Sequence, residues 1–290
     1  MSVVSNASKP TTTTPDDQGA SAAQAASRRR RIIVNVLRIA IFVVIVGGWE
    51  IGARTKVIDP FFWGQPSGIL TQIITWVTKG TAQGPLWQQI LVTLEETVIG
   101  FAIGVVLGVI FGVVLGRNRF LADVLGPYIK AGNSIPRVVL GSIFIIGLGL
   151  GMQSKVALAV VMVFFIVFFN AFQGVREVDR NLLANARILG ASQRQLSTEV
   201  IIPSALTWII ASLHTSFSFA LVGAVVGEFL GATEGIGLMI QTAQNTFNAN
   251  GVFAAMLILA VVALLSELLI TILENRLITW RPATLSDISL

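Results

Sequence analysis

The chain has 290 residues, of which 54% are hydrophobic and only 12% charged, whereas a soluble domain carries about 25% charged residues. It has no cysteine and a single histidine, His214, which excludes a disulfide-stabilised fold, a thiolate nucleophile and a cysteine–metal site. Long uncharged blocks exclude a soluble enzyme, a disordered protein and a transmembrane β-barrel, and they predict an all-α polytopic membrane protein.

The first 27 residues are rich in Ser, Thr, Ala, Gln and Asp and have no apolar period. This composition predicts a disordered cytoplasmic tail over 1–27. Four consecutive arginines, 28–31, then precede an apolar run at 32–51. The run is longer than a signal-peptide core and no small-residue cleavage site is evident. A first transmembrane helix with its N-terminus inside is therefore favoured over a signal peptide or a twin-arginine signal.

Six transmembrane helices account for the apolar blocks. All but four of the 20 Lys and Arg residues then fall in cytoplasmic segments or toward the inner ends of spans, which is the expected asymmetry. The four placed outside are Arg54, Lys56, Lys79 and Lys155. Because the number of spans is even, both termini are expected in the cytoplasm. The predicted spans are 32–52, 88–116, 131–150, 154–174, 204–231 and 251–274.

Two features modify this pattern. Pro136 lies inside the third predicted span, and a helix broken there is expected, with 121–134 as its cytoplasmic or interfacial half. In the outer loop, the residues around Pro66 are typical of a helix start. They predict a short amphipathic helix over 68–77 that lies along the outer membrane surface.

Glycine recurs at every fourth position along the second span. Residues at this spacing lie along one side of a helix, where small side chains let another helix approach closely. The pattern predicts close helix packing and does not by itself indicate a pore. The predicted packing residues are Gly100, Gly104, Gly108, Gly112 and Gly116.

The fifth span carries a second stripe of small and hydroxyl side chains. Such a stripe either packs against a neighbouring helix or lines a path for a solute, and both interpretations are kept. The acid near its outer end has either a structural, hydrogen-bonded role or a role in gating the path. The candidate path residues are Ser212, Thr215, Ser216, Gly223 and Glu228.

The remaining intramembrane ionisable residues are few. Glu95 and Glu96 lie near the outer end of the second span and are expected to be ordinary interface residues. Glu267 lies in the inner half of the sixth span. His214 is expected to be a hydrogen-bonded packing residue, since a lone histidine has this role more often than that of a proton relay.

The segment 175–203, between the fourth and fifth spans, predicts two short helices displayed to the cytoplasm. Asp179 can cap the first helix, and Gly190 can end it in the left-handed conformation. Ser192 and the glutamine three residues later form a capping box that starts the second helix. Pro203 marks the start of the fifth span.

This segment resembles the signature of binding-protein-dependent ABC importer permeases. The signature reads Glu-Ala-Ala, three residues, Gly, nine residues, an aliphatic residue, one more residue and then Leu-Pro. The spacing is kept here through Ala184, Gly190 and Pro203, although Ala184 stands in place of the acid. Over 86–281, further short motifs, among them Gly-Glu-Phe-Leu-Gly at 227–231, resemble the nitrate/taurine/sulfonate-type branch.

The resemblance implies a type I ABC importer permease (MetI-like) fold with six transmembrane helices in the bacterial inner membrane. The expected domains are a disordered tail (1–27), a first helix with an outer interfacial segment (28–85), a permease core (86–281) and a cytoplasmic tail (282–290). The residues expected to couple the permease to its ATPase are Asp179, Ala184, Ala186, Gly190, Ala191, Ser192 and Pro203.

The implied partners are a second permease copy, two ATP-binding subunits and a periplasmic or lipid-anchored solute-binding protein, within a lipid bilayer and without nucleic acid. This chain has no phosphate-loop motif, so ATP and magnesium are expected on the partner ATPase, and the chain itself is expected to be neither an enzyme nor cofactor-dependent. The implied cargo is a small solute, either a taurine-, sulfonate- or nitrate-like anion or a vitamin precursor.

Two other classes of protein are alternatives to this interpretation. An ion-coupled secondary transporter would show internal repeats and more buried ionisable groups. An intramembrane enzyme would need a catalytic pair of side chains within the spans. Neither alternative accounts for the loop at 175–203.

Overall fold

The computed structural model describes residues 15–178 and 180–277, and this part of the chain is predominantly helical. It divides into two compact units, the first ending at Pro60 and the second beginning at Phe61. A short π-helical segment, Leu196–Ile201, precedes α10. The helices are α1 (Pro15–Arg54), α2 (Pro60–Trp63), α3 (Pro66–Lys79), α4 (Leu86–Arg117), α5 (Arg119–Ser134), α6 (Arg137–Leu148), α7 (Met152–Arg176), α8 (Arg180–Ile188), α9 (Gln193–Gln195), α10 (Ile202–Leu230), α11 (Ile236–Asn245) and α12 (Ala249–Leu277).

The first unit consists largely of α1, whose apolar part, Ser27–Arg54, is long enough to cross a membrane. The helix begins at Pro15, so the prediction of disorder is wrong for residues 15–27. The physical reason is that this segment is rich in alanine, the strongest helix former, and that proline suits the first position of a helix. The remainder of that predicted tail and the predicted tail at 282–290 lie outside the described residues.

Five helices in the described residues are long and apolar enough to cross a membrane, and each coincides with a predicted span. Their ends differ from the predicted ends by several residues, most of all where the fifth span is extended by the π-helical segment. The five candidate spans are Ser27–Arg54, Leu86–Arg117, Met152–Arg176, Leu196–Leu230 and Ala249–Ile272.

The remaining predicted span, 131–150, is not a single straight helix. Helices α5 and α6 meet at an angle of 89° around Pro136, so the predicted break is confirmed. Proline lacks the amide proton of a helix interior and clashes with the preceding turn, which is why the helix ends there. Counted as one bent unit, this pair makes a sixth candidate span.

Two short helices lie between the long ones in the second unit. Helix α3, Pro66–Lys79, confirms the predicted helix in the loop after α1, and Pro66 occupies its first turn. Helix α11, Ile236–Asn245, lies between α10 and α12 and was not predicted. It packs against both of these helices.

Helix α7 lies between α4 and α10 and makes the most extensive contacts with both. Each of the five glycines of α4 faces a small or β-branched side chain of α7. The residue numbers of the facing pairs rise together, which shows that the two helices run parallel. The facing pairs are Gly100–Ala159, Gly104–Val163, Gly108–Val167, Gly112–Ala171 and Gly116–Val175.

Candidate functional site

Helix α8 ends at a left-handed turn, after which the chain continues into α9. Gly190 has φ +85°, a backbone conformation that favours glycine. The amide of Ala191 donates to the carbonyl of Ala186 at 3.0 Å, and the amide of Gly190 donates to that of Arg187 at 3.0 Å. These bonds satisfy carbonyls at the end of the helix, and they confirm the predicted left-handed geometry of Gly190.

The capping box that starts the next helix is also present. The amide of Ser192 donates to Gln195 Oε1 at 2.9 Å, and the amide of Gln195 donates to Ser192 Oγ at 3.3 Å. This reciprocal pair fixes the direction of the chain immediately after the Gly190 turn. Helix, tight turn and helix therefore follow one another as predicted.

The tip of this loop exposes two adjacent apolar side chains. Ile188 is 83% exposed and Leu189 is 87% exposed, although both lie in a segment rich in polar residues. Of the other predicted coupling residues, Ala184 is exposed, and Asp179 lies outside the described residues. The turn therefore presents two adjacent exposed apolar side chains.

The loop continues into α10 without a break. The π-helical segment Leu196–Ile201 runs directly into α10, so Pro203 lies in the first turn of a continuing helix. Proline cannot donate the regular helical hydrogen bond, and a π-segment accommodates that loss by changing the register of the preceding turn. Arg117 at the end of α4 donates to Ser197 Oγ at 2.8 Å and joins the segment to the neighbouring helix.

Four of the five candidate path residues, Glu228 among them, are buried inside one chain. Ser212 and Ser216 are 4% and 0% exposed, and Ser216 Oγ donates to the carbonyl of Ser212 at 2.7 Å. A methyl group added at Gly223 would lie 2.7 Å from the Cα atom of Ala159 in α7. Their burial favours the packing interpretation of this stripe, whereas Thr215 is exposed.

Cysteine substitution separates the buried face of α10 from its exposed face, since the natural chain has no cysteine. We expect Ser216→Cys to stay unreactive toward a small water-soluble thiol reagent in every nucleotide state, because its side chain is enclosed. Ser218→Cys, the same chemical change two residues on, should react because Ser218 is exposed. The rate of alkylation is measured for both variants. Rapid labelling of Ser216→Cys would favour the interpretation that the stripe lines the path.

An apolar groove of about 460 Å³ lies between α10 and α12. His214 and Glu267 line it, and His214 Nε2 lies 3.2 Å from Glu267 Oε1. His214 is therefore hydrogen-bonded, and its partner is an acid that was not evident from the sequence. The two residues lie 53 positions apart on different helices, and no local pattern connects them.

Glu228 lies in a buried polar cluster at the other end of α10. Its carboxylate accepts from Thr93 Oγ1 at 2.6 Å and from the amide of Gly237 at 2.7 Å. Gln89 Oε1 accepts from the amide of Gly235 at 2.8 Å, and Thr93 Oγ1 accepts from that of Ile236 at 3.0 Å. Three consecutive amides at the start of α11 are thus held by side chains of α4 and α10.

The same cluster contains two further charged groups. Glu96 is 2% exposed, so its prediction as an ordinary interface residue is wrong. Lys155 is 1% exposed, and its ammonium donates to the carbonyls of Leu150 and Gly151 after α6. Since Lys155 also interacts electrostatically with both Glu96 and Glu228, the cluster ties four helices together. These contacts favour the structural role for Glu228 among the two that the sequence left open.

The described helices define a polytopic helical membrane protein. The family model of binding-protein-dependent transport system inner membrane components matches residues 104–279, and the chain belongs to this family.

Named relatives include transporters of chemically different solutes. The chain is 34% identical over 232 residues to a riboflavin transport system permease protein of Chloroflexus aurantiacus, covering 80% of this chain and 85% of the relative. It is 30% identical to a formylaminopyrimidine transport permease protein of Halalkalibacterium halodurans, covering 80% and 91%. It is 28% identical to a taurine transport system permease protein of Escherichia coli, covering 84% and 89%.

Solved transporter structures share the fold. A chain of an amino acid ABC transporter crystallised with histidines superposes with a TM-score of 0.54 at 18% identity, covering 73% of this chain and 94% of that one. A chain of an inward-facing methionine ABC transporter superposes with a TM-score of 0.51 at 20% identity, covering 66% and 92%. At this level of identity the likeness is one of fold alone.

Proposed function

We propose that this chain is the permease subunit of an ATP-driven importer that moves a small solute delivered by a solute-binding protein. The observation that carries the proposal is the loop from α8 to α10. It presents two exposed apolar side chains at a hydrogen-bonded turn, and its second half continues into a membrane-length helix. Because no flexible linker separates the described turn from α10, displacement of the turn would also displace α10.

The partner at the tip would be a separate ATPase subunit, to which ATP and magnesium bind. Ile188 and Leu189 would lie in a cleft of that subunit, where burial of two large apolar side chains contributes about 3–6 kcal/mol before ordering costs. Closure of the ATPase dimer would move the loop, and α10 would follow it. The coupling roles of Ala184, Ala186, Ala191 and Ser192 belong to this proposal.

The assembly proposed for transport contains two copies of this permease, two ATPase subunits and one binding protein. In this arrangement both termini and the Gly190 turn lie in the cytoplasm, while α3 and α11 face the side from which the solute arrives. The translocation path would run at the interface of the two permease copies. An ion-coupled secondary transporter is not favoured, because it leaves the exposed loop without a role.

The cargo is a small solute of one of two chemical kinds. Taurine and aliphatic sulfonates, which are named for some relatives, are anionic or zwitterionic and carry a sulfonate. Riboflavin and formylaminopyrimidine, which are named for others, are heteroaromatic.

Substitution of Gly190 tests the coupling proposal. Gly190→Val should abolish most transport and most solute-stimulated ATP hydrolysis together, because a β-branched residue is strained at φ +85° and the turn would change shape. The measurement is uptake and ATP hydrolysis by the reconstituted transporter, with the amount of permease in the membrane determined in parallel.

The matched control for this substitution is Gly190→Asn. Among the described residues, no atom lies within 4 Å of a Cβ built at this position, so space is available to either side chain. Asparagine tolerates the left-handed region far better than valine, and Gly190→Asn should retain much of the activity. Normal transport by Gly190→Val would show that the turn does not transmit motion.

A further inference from the structure

Helices α10 and α12 carry an ionisable pair that is open to the groove between them. His214 lies close to the midpoint of α10, and Glu267 lies in the second half of α12, inside the apolar stretch that ends at Ile272. Their side chains are 35% and 54% exposed. Ionisable groups at such depth are costly in lipid and face either a protein interior or a water-filled path.

The remaining lining of the groove is mostly apolar. Val222, Met256 and Ala260 are among its walls, and Ser218 adds a hydroxyl group. None of the described residues that line it is a lysine or an arginine. Its volume of about 460 Å³ lies within the range of small-molecule sites, about 300–1,000 Å³.

We infer that this groove is the solute-contacting part of the translocation path and that it takes a neutral heteroaromatic compound bearing N–H donors. The inference rests on the proposed function, since it assigns a substrate class to a transporter. The apolar walls would cover the faces of a planar ring, and the thioether of Met256 suits contact with an aromatic ring. Glu267 would accept from the N–H groups of the solute, while His214 positions the Glu267 carboxylate.

Charge complementarity distinguishes this solute from a sulfonate. The pair of Glu267 and His214 places a carboxyl group in a groove whose described lining contains no lysine or arginine. An anion in this groove would leave water without gaining an arginine or lysine partner from the described lining, and it would be repelled by the carboxylate. A neutral heteroaromatic ring loses little hydration and gains apolar contact.

Protection of a groove cysteine tests the inference directly. Ser218→Cys is introduced into the full permease, which is assembled with its ATPase in nanodiscs, and alkylation by N-ethylmaleimide is followed over time. Saturating aminopyrimidine should slow alkylation severalfold, whereas taurine at the same concentration should leave the rate unchanged. In the Ser218→Cys background, Glu267→Gln should raise the aminopyrimidine concentration needed for protection by about tenfold, as expected for the loss of one charge-assisted hydrogen bond.

The matched control is Glu95→Gln, which makes the same change at an exposed acid of α4 that is not among the groove residues, and which should leave protection unchanged. Equal protection by taurine, or none by aminopyrimidine, would overturn the inference. Absence of alkylation in every state would also overturn it, because a second copy of the chain or a lipid would then cover the groove.

ATP-dependent uptake separates this inference from the proposed function. Proteoliposomes containing the permease, its ATPase and its binding protein are tested with aminopyrimidine and with taurine. If taurine is taken up and aminopyrimidine does not protect the groove cysteine, the proposed importer function is supported and the heteroaromatic site is rejected. Protection by aminopyrimidine with no ATP-dependent uptake of either compound would support the binding groove but contradict the importer.

Discussion

Replacing Gly108 by leucine is expected to lower the melting temperature of the detergent-solubilised permease by roughly 10 °C, the shift that corresponds to about 3 kcal/mol of overpacking. A Cβ atom at this position would lie 2.8 Å from Val167 Cβ and 3.0 Å from the carbonyl oxygen of Phe164. The second contact is with backbone, which cannot rotate away. Helices α4 and α7 would have to separate, and lipid offers no compensating attraction.

The control for Gly108→Leu is the same substitution at Gly47 of α1. No atom lies within 4 Å of a Cβ built there, and the position is also within a membrane-length helix. Gly47→Leu should therefore leave the melting temperature close to that of the natural protein. If Gly108→Leu melted at the same temperature as Gly47→Leu, the close contact between α4 and α7 would not contribute to the thermal stability of the protein.

Replacing Glu228 by glutamine is expected to destabilise the protein by about 3 kcal/mol, since two hydrogen bonds to a buried carboxylate are lost or weakened. Glutamine has nearly the same shape, so a cavity is not the cause. Its amide group would replace one carboxylate oxygen by an N–H donor, which would face either Thr93 Oγ1 or the amide of Gly237, the two groups that donate to Glu228. The start of α11 should loosen, and hydrogen exchange over 235–245 should become faster.

Glu234→Gln supplies the comparison for this effect. Glu234 is in the same loop, but it is only partly buried, and its contact with Gln88 Nε2 is 3.4 Å long. Its substitution should change the free energy of unfolding by less than about 0.5 kcal/mol. Unchanged hydrogen exchange over 235–245 in Glu228→Gln would contradict the assignment of Glu228 as the anchor of α11.

Anchoring of α11 also requires glycine at the start of the helix. Gly235 has φ +112°, and a Cβ atom there would overlap the carboxylate of Glu228. Backbone and acid can approach this closely only because the position has no side chain. The motif at 227–231, which contains Glu228 and resembles that of the nitrate/taurine/sulfonate-type branch, thus has a physical explanation in its contact with Gly235.

The features that the sequence by itself determined depend on interactions between residues that are close together in the chain. The apolar blocks specify membrane-length helices, since each must satisfy its own backbone hydrogen bonds in lipid. Pro136, Gly190 and Ser192 act within a few residues of themselves, so the break, the left-handed turn and the capping box were predictable at those positions. The four-residue spacing of glycines in α4 likewise indicated a packed face, because helical periodicity places them on one side.

Only the tertiary structure decided which polar side chains meet. Glu228 and Thr93 are 135 positions apart, and His214 and Glu267 are 53 apart, so no periodicity within one helix relates them. Ser216 and Ser218 have the same chemistry and lie on one helix, yet one is enclosed and the other exposed. That difference depends on where α7 lies around α10, and helix–helix arrangement is set by packing among all the spans rather than by either sequence segment alone.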